Sequence, residues 1–169
     1  MNHANNFTDV YDEYVDKIYR FVFVRVNSKA AAQDLTSETF TRTLEYFKRN
    51  NDAEVDNIQA FLYRTARNIV TDYYRQKSRT DVPLDYESQE VIEREMPYKD
   101  RPDIAAAHGE QVGKIRLVLA KMDKEHADIV MWHYIEDMPI REIADITGRP
   151  EGTVRVMLHR GLKELRDNL

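Results

Sequence analysis

Ile140-Arg141-Glu142-Ile143-Ala144, then Thr147-Gly148-Arg149-Pro150, then Glu151-Gly152-Thr153-Val154-Arg155-Val156-Met157-Leu158-His159-Arg160-Gly161-Leu162 is the stretch that decides the fold. Ile140, Ile143 and Ala144 recur at the i, i+3, i+4 spacing of a helix edge. Gly148 can adopt the left-handed backbone that ends that helix, and Pro150 can open the next one. In the second helix Val154, Leu158 and Leu162 recur every four residues and would pack on the first. Arg155, His159 and Arg160 then point outward. A helical hairpin with a solvated basic face would show the same apolar spacing. The coincidence of helix, tight turn and outward arginines favours a helix-turn-helix that enters a major groove.

Working outward, composition agrees with an all-α chain. There are only five Gly and five Pro in 169 residues and no repeat, so long helices are expected rather than a turn-rich β fold. With no Cys there are no disulfides and no thiolate metal sites, and five scattered His lack metal-binding spacing. No stretch approaches the ~20 apolar residues of a membrane span, and the first residues do not read as a signal peptide. The expectation is a cytoplasmic protein with no cofactor and no metal. No Gly-rich phosphate loop, Ser/His/Asp grouping or paired catalytic carboxylates appear, which argues against an enzyme, nucleases included.

Net charge is −5, which by itself disfavours nucleic acid. Its distribution matters more. Residues 81–103 hold eight acidic and three basic side chains, so that segment carries the whole −5 and the rest is balanced. Arg64 to Arg79 holds five basic residues against Asp72 alone, and Arg149 to Arg166 holds five against Glu151 and Glu164. Phosphate neutralisation is local, so two basic patches flanking an acidic spacer remain compatible with DNA. The spacer, 80–102, also has Pro83, Pro97 and Pro102 and little apolar periodicity, the marks of a flexible linker. The chain therefore divides into a helical domain over 1–79, a linker over 80–102 and a second helical domain over 103–169.

In the first domain Val10, Tyr11, Tyr14, Ile18, Phe21, Val22 and Val26 follow a helical period. Ser28 is placed to cap a helix from Lys29 to Phe47. Ala32, Leu35, Leu44 and Phe47 form its apolar side, and Asp34, Glu38 and Arg42 form a charge ladder on the other. A polar loop with Asn50, Asn51 and Asn57 follows, rich in amides that can donate and accept. A helix from Ile58 to Lys77 sets Phe61, Leu62, Ala66, Ile69 and Val70 toward the core and Arg64, Arg67, Asn68 and Arg75 outward. Tyr63, Tyr73 and Tyr74 interleave with those charges. Such a surface could stack and neutralise opened DNA, or could be tyrosines half buried beside a solvated face.

Ala32-Gln33-Asp34-Leu35-Thr36-Ser37-Glu38-Thr39-Phe40, then Phe61-Leu62-Tyr63-Arg64-Thr65-Ala66-Arg67-Asn68-Ile69-Val70-Thr71-Asp72-Tyr73-Tyr74-Arg75, then Gly152-Thr153-Val154-Arg155 closely resemble a bacterial RNA polymerase sigma factor of the extracytoplasmic-function type, group IV of the sigma-70 family. The resemblance spans nearly the whole chain, with the three blocks in order. It implies a promoter-melting region 2, a linker and an upstream-reading region 4. It implies core polymerase as partner, through the largest-subunit clamp helices and the flap, with promoter DNA and an anti-sigma factor as further partners. Asp34, Leu35, Glu38 and Arg42 would then dock on the clamp helices. Asn50, Asn51 and Asn57 would capture an unstacked base of the −10 element, and Arg64, Arg67, Asn68 and Arg75 would hold DNA around it. Asp72 would orient Asn68 and Arg75. Thr153, Arg155, Val156, His159 and Arg160 would read the −35 element, Val156 through a thymine methyl.

The chain departs from the family pattern in three places. Phe61 stands where Trp is usual, Val156-Met157 where a small polar and a basic residue are common, and Gly161-Leu162 where a small and a basic residue occur. The last is expected to cost the helix ~1 kcal/mol. A stand-alone helix-turn-helix regulator is the alternative, but residues 8–79 resemble neither a sensor nor a dimerisation domain.

Overall fold

The computed structural model describes residues 3–50, 55–79 and 113–169. The linker over 80–102, the first residues of the second domain and Asn51 lie outside the described residues. The chain divides into two compact units, Met1–Asp85 and Tyr86–Leu169, and every described secondary-structure element is a helix.

The first unit holds α1 (His3–Val26), α2 (Lys29–Arg49) and α3 (Ile58–Arg79). Near the end of α1 four successive residues, Phe21, Val22, Phe23 and Val24, are all buried, so burial there extends around the helix. A helix buried on adjacent faces needs neighbours on both flanks, and α1 packs against both α2 and α3. Asn27 breaks it with a positive φ of 51°, and Ser28 accepts the Ala31 N–H at 3.3 Å to start α2, as its side chain predicts. The inner face of α2 is more polar than hydropathy suggests: Thr36, Thr39 and Thr43 are buried alongside Ala32, Leu35 and Phe40. The Thr39 and Thr43 hydroxyls donate to the carbonyls of Leu35 and Thr39, both at 2.8 Å, so those hydroxyls enter the core satisfied. α3 is fixed at its start by Asn57, whose Oδ1 accepts the Ala60 N–H at 3.0 Å. Along it Ala60, Leu62, Tyr63, Ala66, Ile69 and Val70 are buried. Near its other end the Tyr74 hydroxyl donates to the Arg25 carbonyl of α1.

In the second unit helix α4 is described over residues 113–121, followed by α5 (Lys124–Tyr134), α6 (Ile140–Thr147) and α7 (Glu151–Asn168). Asp123 caps α5, accepting from the N–H groups of Glu125 and His126 at 3.1 and 3.2 Å. α5 carries the centre of this core: Ala127, Ile129 and Trp132 have no exposed surface, and Val130 and Met131 nearly none. α6 and α7 are the two helices of the expected helix-turn-helix. Gly148 takes the left-handed conformation (φ 66°, ψ 23°) and its N–H bonds the Ala144 carbonyl, ending α6. Pro150 is the N-cap residue of α7.

Candidate functional site

Burial sorts α7 into two faces. Val154, Met157, Leu158 and Gly161 are buried, whereas Thr153, Arg155, Val156, His159 and Arg160 are exposed, Val156 by 50%. All five residues expected to read DNA therefore share the outer face. Met157, which stands where the family commonly has a basic residue, is 9% exposed and belongs to the core.

Three polar contacts hold α7 and its turn against the start of α5. The Asp123 N–H donates to Glu164 Oε1 at 3.0 Å, and Glu164 Oε2 lies 3.0 Å from His126 Nδ1. Arg149 Nη2 reaches both carboxylate oxygens of Glu125, at 3.0 and 2.8 Å. Arg149, counted with the basic patch from sequence, is thus engaged in fastening the turn. Gly161 adds the tightest approach. A Cβ there would meet Val130 Cγ2 at 2.8 Å and the His126 carbonyl oxygen at 3.2 Å. The glycine expected only to weaken the helix is where α7 crosses α5 with no room for a side chain.

On the outer face itself Arg155 is not extended into solvent alone. Its Nη2 donates to Glu151 Oε2 at 2.8 Å, one turn back. Glu151 was not among the residues picked from sequence, although its i, i+4 spacing to Arg155 was legible there.

In the first unit the expected docking ladder lies on the outer side of α2, with Glu38 half-buried. Asp34 is exposed, and Glu38 forms an ion pair with Arg42. Leu35, expected on the same docking face, is 8% exposed and lies with the core. Its hydropathy places it inward, three residues from Ala32 on the buried side of α2. Arg42 also approaches Asp72 of α3 at 4.0 Å, and Asp72 lies 3.6 Å from Arg75. A carboxylate expected to orient Asn68 and Arg75 therefore stands between Arg75 and a cation of the neighbouring helix.

Arg64, Asn68 and Arg75 are exposed on α3 and Arg67 is half-buried. Of the three interleaved tyrosines, Tyr63 is fully buried, edge-on to Phe21 with ring centroids 5.5 Å apart, and is no platform for a base. Tyr73 and Tyr74 are half-buried, and the Lys77 ammonium donates to the Tyr73 hydroxyl at 3.0 Å. Phe61 packs on Tyr46 and Phe47, with centroids 4.8 and 6.1 Å away, filling the aromatic position where the family usually has Trp.

Asn50 and Asn57 bracket the loop with complementary halves of their amides in use. Asn50 Nδ2 donates to the Tyr46 carbonyl at 2.8 Å, at the end of α2, whereas Asn57 uses its oxygen at the start of α3. Among the described residues no group of His, Cys, Asp and Glu could hold a metal ion, and no helix is long and apolar enough to cross a membrane.

Residues 10–80 match the family described as Sigma-70 region 2, and residues 113–165 match Sigma-70, region 4. The chain is 28% identical over 163 residues to the ECF RNA polymerase sigma factor BldN of Streptomyces coelicolor, covering 96% of this chain and 60% of that protein. It is also 28% identical over 176 residues to the ECF RNA polymerase sigma factor SigW of Bacillus subtilis, covering 96% and 88%. Its fold is similar to the sigma factor RpoE of Bartonella quintana, solved in complex with the anti-sigma factor NepR, with a TM-score of 0.69 at 15% identity over 96% of this chain and 95% of that one. With regions 2 and 4 matched in order on the two helical units, the chain belongs to the sigma-70 family of RNA polymerase sigma factors, in its ECF group.

Proposed function

We propose that this chain binds RNA polymerase core and directs initiation at promoters carrying −35 and −10 elements, acting in the cytoplasm as a non-enzymatic factor. The observation that carries this reading is the division of α7 into a buried face and an outer face bearing Thr153, Arg155, Val156, His159 and Arg160. Arginine and histidine donors, an apolar side chain fit for a thymine methyl, and first-turn N–H groups without a side-chain cap suit a major groove and its phosphates.

The outward ladder of Asp34, Glu38 and Arg42 would dock on the core polymerase, with Leu35 supporting it from within. Arg64, Arg67, Asn68 and Arg75 would neutralise phosphates around the −10 element. Asn50 and Asn57, each anchored by half of its amide, would offer the other half to an extruded base, joined by Asn51. Anti-sigma restraint, known for the Bartonella relative by the complex in which it was solved, extends by proposal to this chain.

Multi-round transcription with core polymerase tests the whole reading, and a charge reversal tests the docking face within it. Asp34→Lys with Glu38→Lys leaves the buried side of α2 untouched, so helical content should persist. Like-charge contact with a partner complementary to the native ladder should lower core affinity by about ten-fold or more. Unchanged core binding with intact circular dichroism would remove α2 from the interface. A stand-alone regulator would bind DNA specifically without core and would not support initiation.

A further inference from the structure

Resting on the reading of α7 as the upstream-element helix, we propose that Glu151 determines part of its sequence specificity. Its carboxylate accepts from the exocyclic amino group of a cytosine in the major groove while holding Arg155 on a neighbouring guanine. Glu151 is the first residue of α7, and Arg155 follows one turn later on the same exposed face. Their side chains are 45% and 61% exposed and are joined at 2.8 Å, so the pair stands in solvent, outside the core.

Position, charge and geometry each give this pair a reading role. The N-terminal residues of a groove-entering helix come closest to base edges. A carboxylate there is only an acceptor. It matches the amino donor of cytosine and is repelled by guanine N7 and O6, by thymine O4 and by the phosphates. The helix dipole partly offsets that repulsion, since an anion is favoured at an N-terminus. The guanidinium is planar with five N–H donors, so one bond to Glu151 fixes its plane and leaves donors for guanine N7 and O6. A neutral pair adds little to non-specific attraction for DNA. It penalises wrong bases more than it rewards the duplex as such, which is how specificity is separated from affinity.

The test compares holoenzymes formed with the native chain, Glu151→Gln and Arg155→Ala by selection from a duplex library randomised across the upstream element. Glutamine keeps the length of the side chain, removes its charge and supplies a donor. Glu151→Gln is expected to lower the preference for cytosine at one position by about ten-fold and to admit adenine there, which glutamine pairs bidentately. The affinity of the free variant for arbitrary duplex should rise about two- to five-fold at low salt, because a repelled charge is gone. Arg155→Ala is expected to erase the preference for guanine at the adjacent position. If Glu151→Gln keeps the native preferences while Arg155→Ala loses one, Glu151 is a helix-end charge and the inference is overturned. If neither substitution alters any upstream preference, the assignment of α7 as the reading helix fails, and the inference falls with it.

Discussion

The outward faces of α3 and α7 are both basic, yet they are built differently. On α7 the tie to Arg155 comes from Glu151 of the same helix. On α3 Arg75 meets Asp72, and Asp72 is also approached by Arg42 of α2. One face is self-contained, while the other is shared with the helix proposed to dock on the polymerase. Their inner faces differ as well. α3 drives the bulk of Tyr63 into its core, whereas α7 meets α5 through the bare backbone of Gly161. A self-contained face can be altered without disturbing its neighbours. A shared face carries what happens on one helix to the next, through pairs that are individually weak at such exposure.

The largest expected effect tests the interior of α3. Tyr63→Ala should destabilise the first unit by about 3–5 kcal/mol, as for other large aromatic truncations. The loss would appear as an earlier urea transition by circular dichroism. Trp132, the sole tryptophan and fully buried in the second unit, should keep its native emission through that transition. Were Tyr63 a stacking platform instead, truncation would spare stability and impair only promoter opening.

Next comes the interior of α7. Helix propensity alone would make Gly161→Ala stabilising by about 1 kcal/mol. The approach to Val130 and the His126 carbonyl should cancel that gain. Gly161→Leu should destabilise the second unit by about 1–3 kcal/mol through overpacking. Denaturation followed by Trp132 emission reads both variants, and a rise in stability for Gly161→Ala would mean that the helices do not meet there.

Asn57 gives an intermediate effect and separates two duties. Asn57→Ala should cost about 1 kcal/mol through loss of the cap. Asn57→Asp keeps the acceptor, so stability should hold while the donor offered to a −10 base disappears. Binding to single-stranded non-template DNA by the holoenzyme would show the loss of −10 selectivity. Equal selectivity in Asn57→Asp and native chains would confine Asn57 to capping.

The smallest effect lies in the shared face. Asp72→Ala removes the carboxylate that pairs with Arg75 and is approached by Arg42, and stability should shift by less than about 1 kcal/mol. The affinity of the free chain for arbitrary duplex should rise about two- to five-fold at low salt, measured by fluorescence anisotropy, as Arg75 is released. No rise would show that Asp72 does not restrain Arg75.

Much of the fold was legible because its signals are local. Ser28 as a cap, Gly148 as a left-handed stop and the four-residue spacing of Val154 and Leu158 depend on a few neighbours in the chain, and each stands as read. Helix ends were less sharp: α2 and α3 run to Arg49 and Arg79, two residues beyond the expected Phe47 and Lys77. The buried hydroxyls of Thr39 and Thr43 escaped a hydropathy reading, which counts threonine as polar even when its hydroxyl bonds back to the preceding turn. Of the candidate site, the outer face of α7 was legible as the complement of its apolar stripe. Tyr63, read as a stacking or half-buried ring, is fully buried because one helical position can be turned inward by whatever packs beside it. The Arg42–Asp72 approach, the Arg149–Glu125 pair and the closeness of Gly161 to Val130 join separate helices, and nothing in local spacing announces them.

The bare flank of α7 at Gly161 bears on how such a protein changes its targets over generations. Packing duties fall on Val154, Met157, Leu158, Gly161 and Glu164, and none falls on the outward positions 151, 155, 156, 159 and 160. On the proposed reading, substitutions at those five places are screened by DNA and scarcely by folding, since exposed changes usually shift stability by less than about 0.5 kcal/mol. A duplicated copy can therefore drift to a new set of genes in single steps, each step leaving a folded protein. Two copies in one cell would then become insulated from each other once a single outward residue, such as the acid proposed to read a base at the head of the helix, turned away the other's promoters.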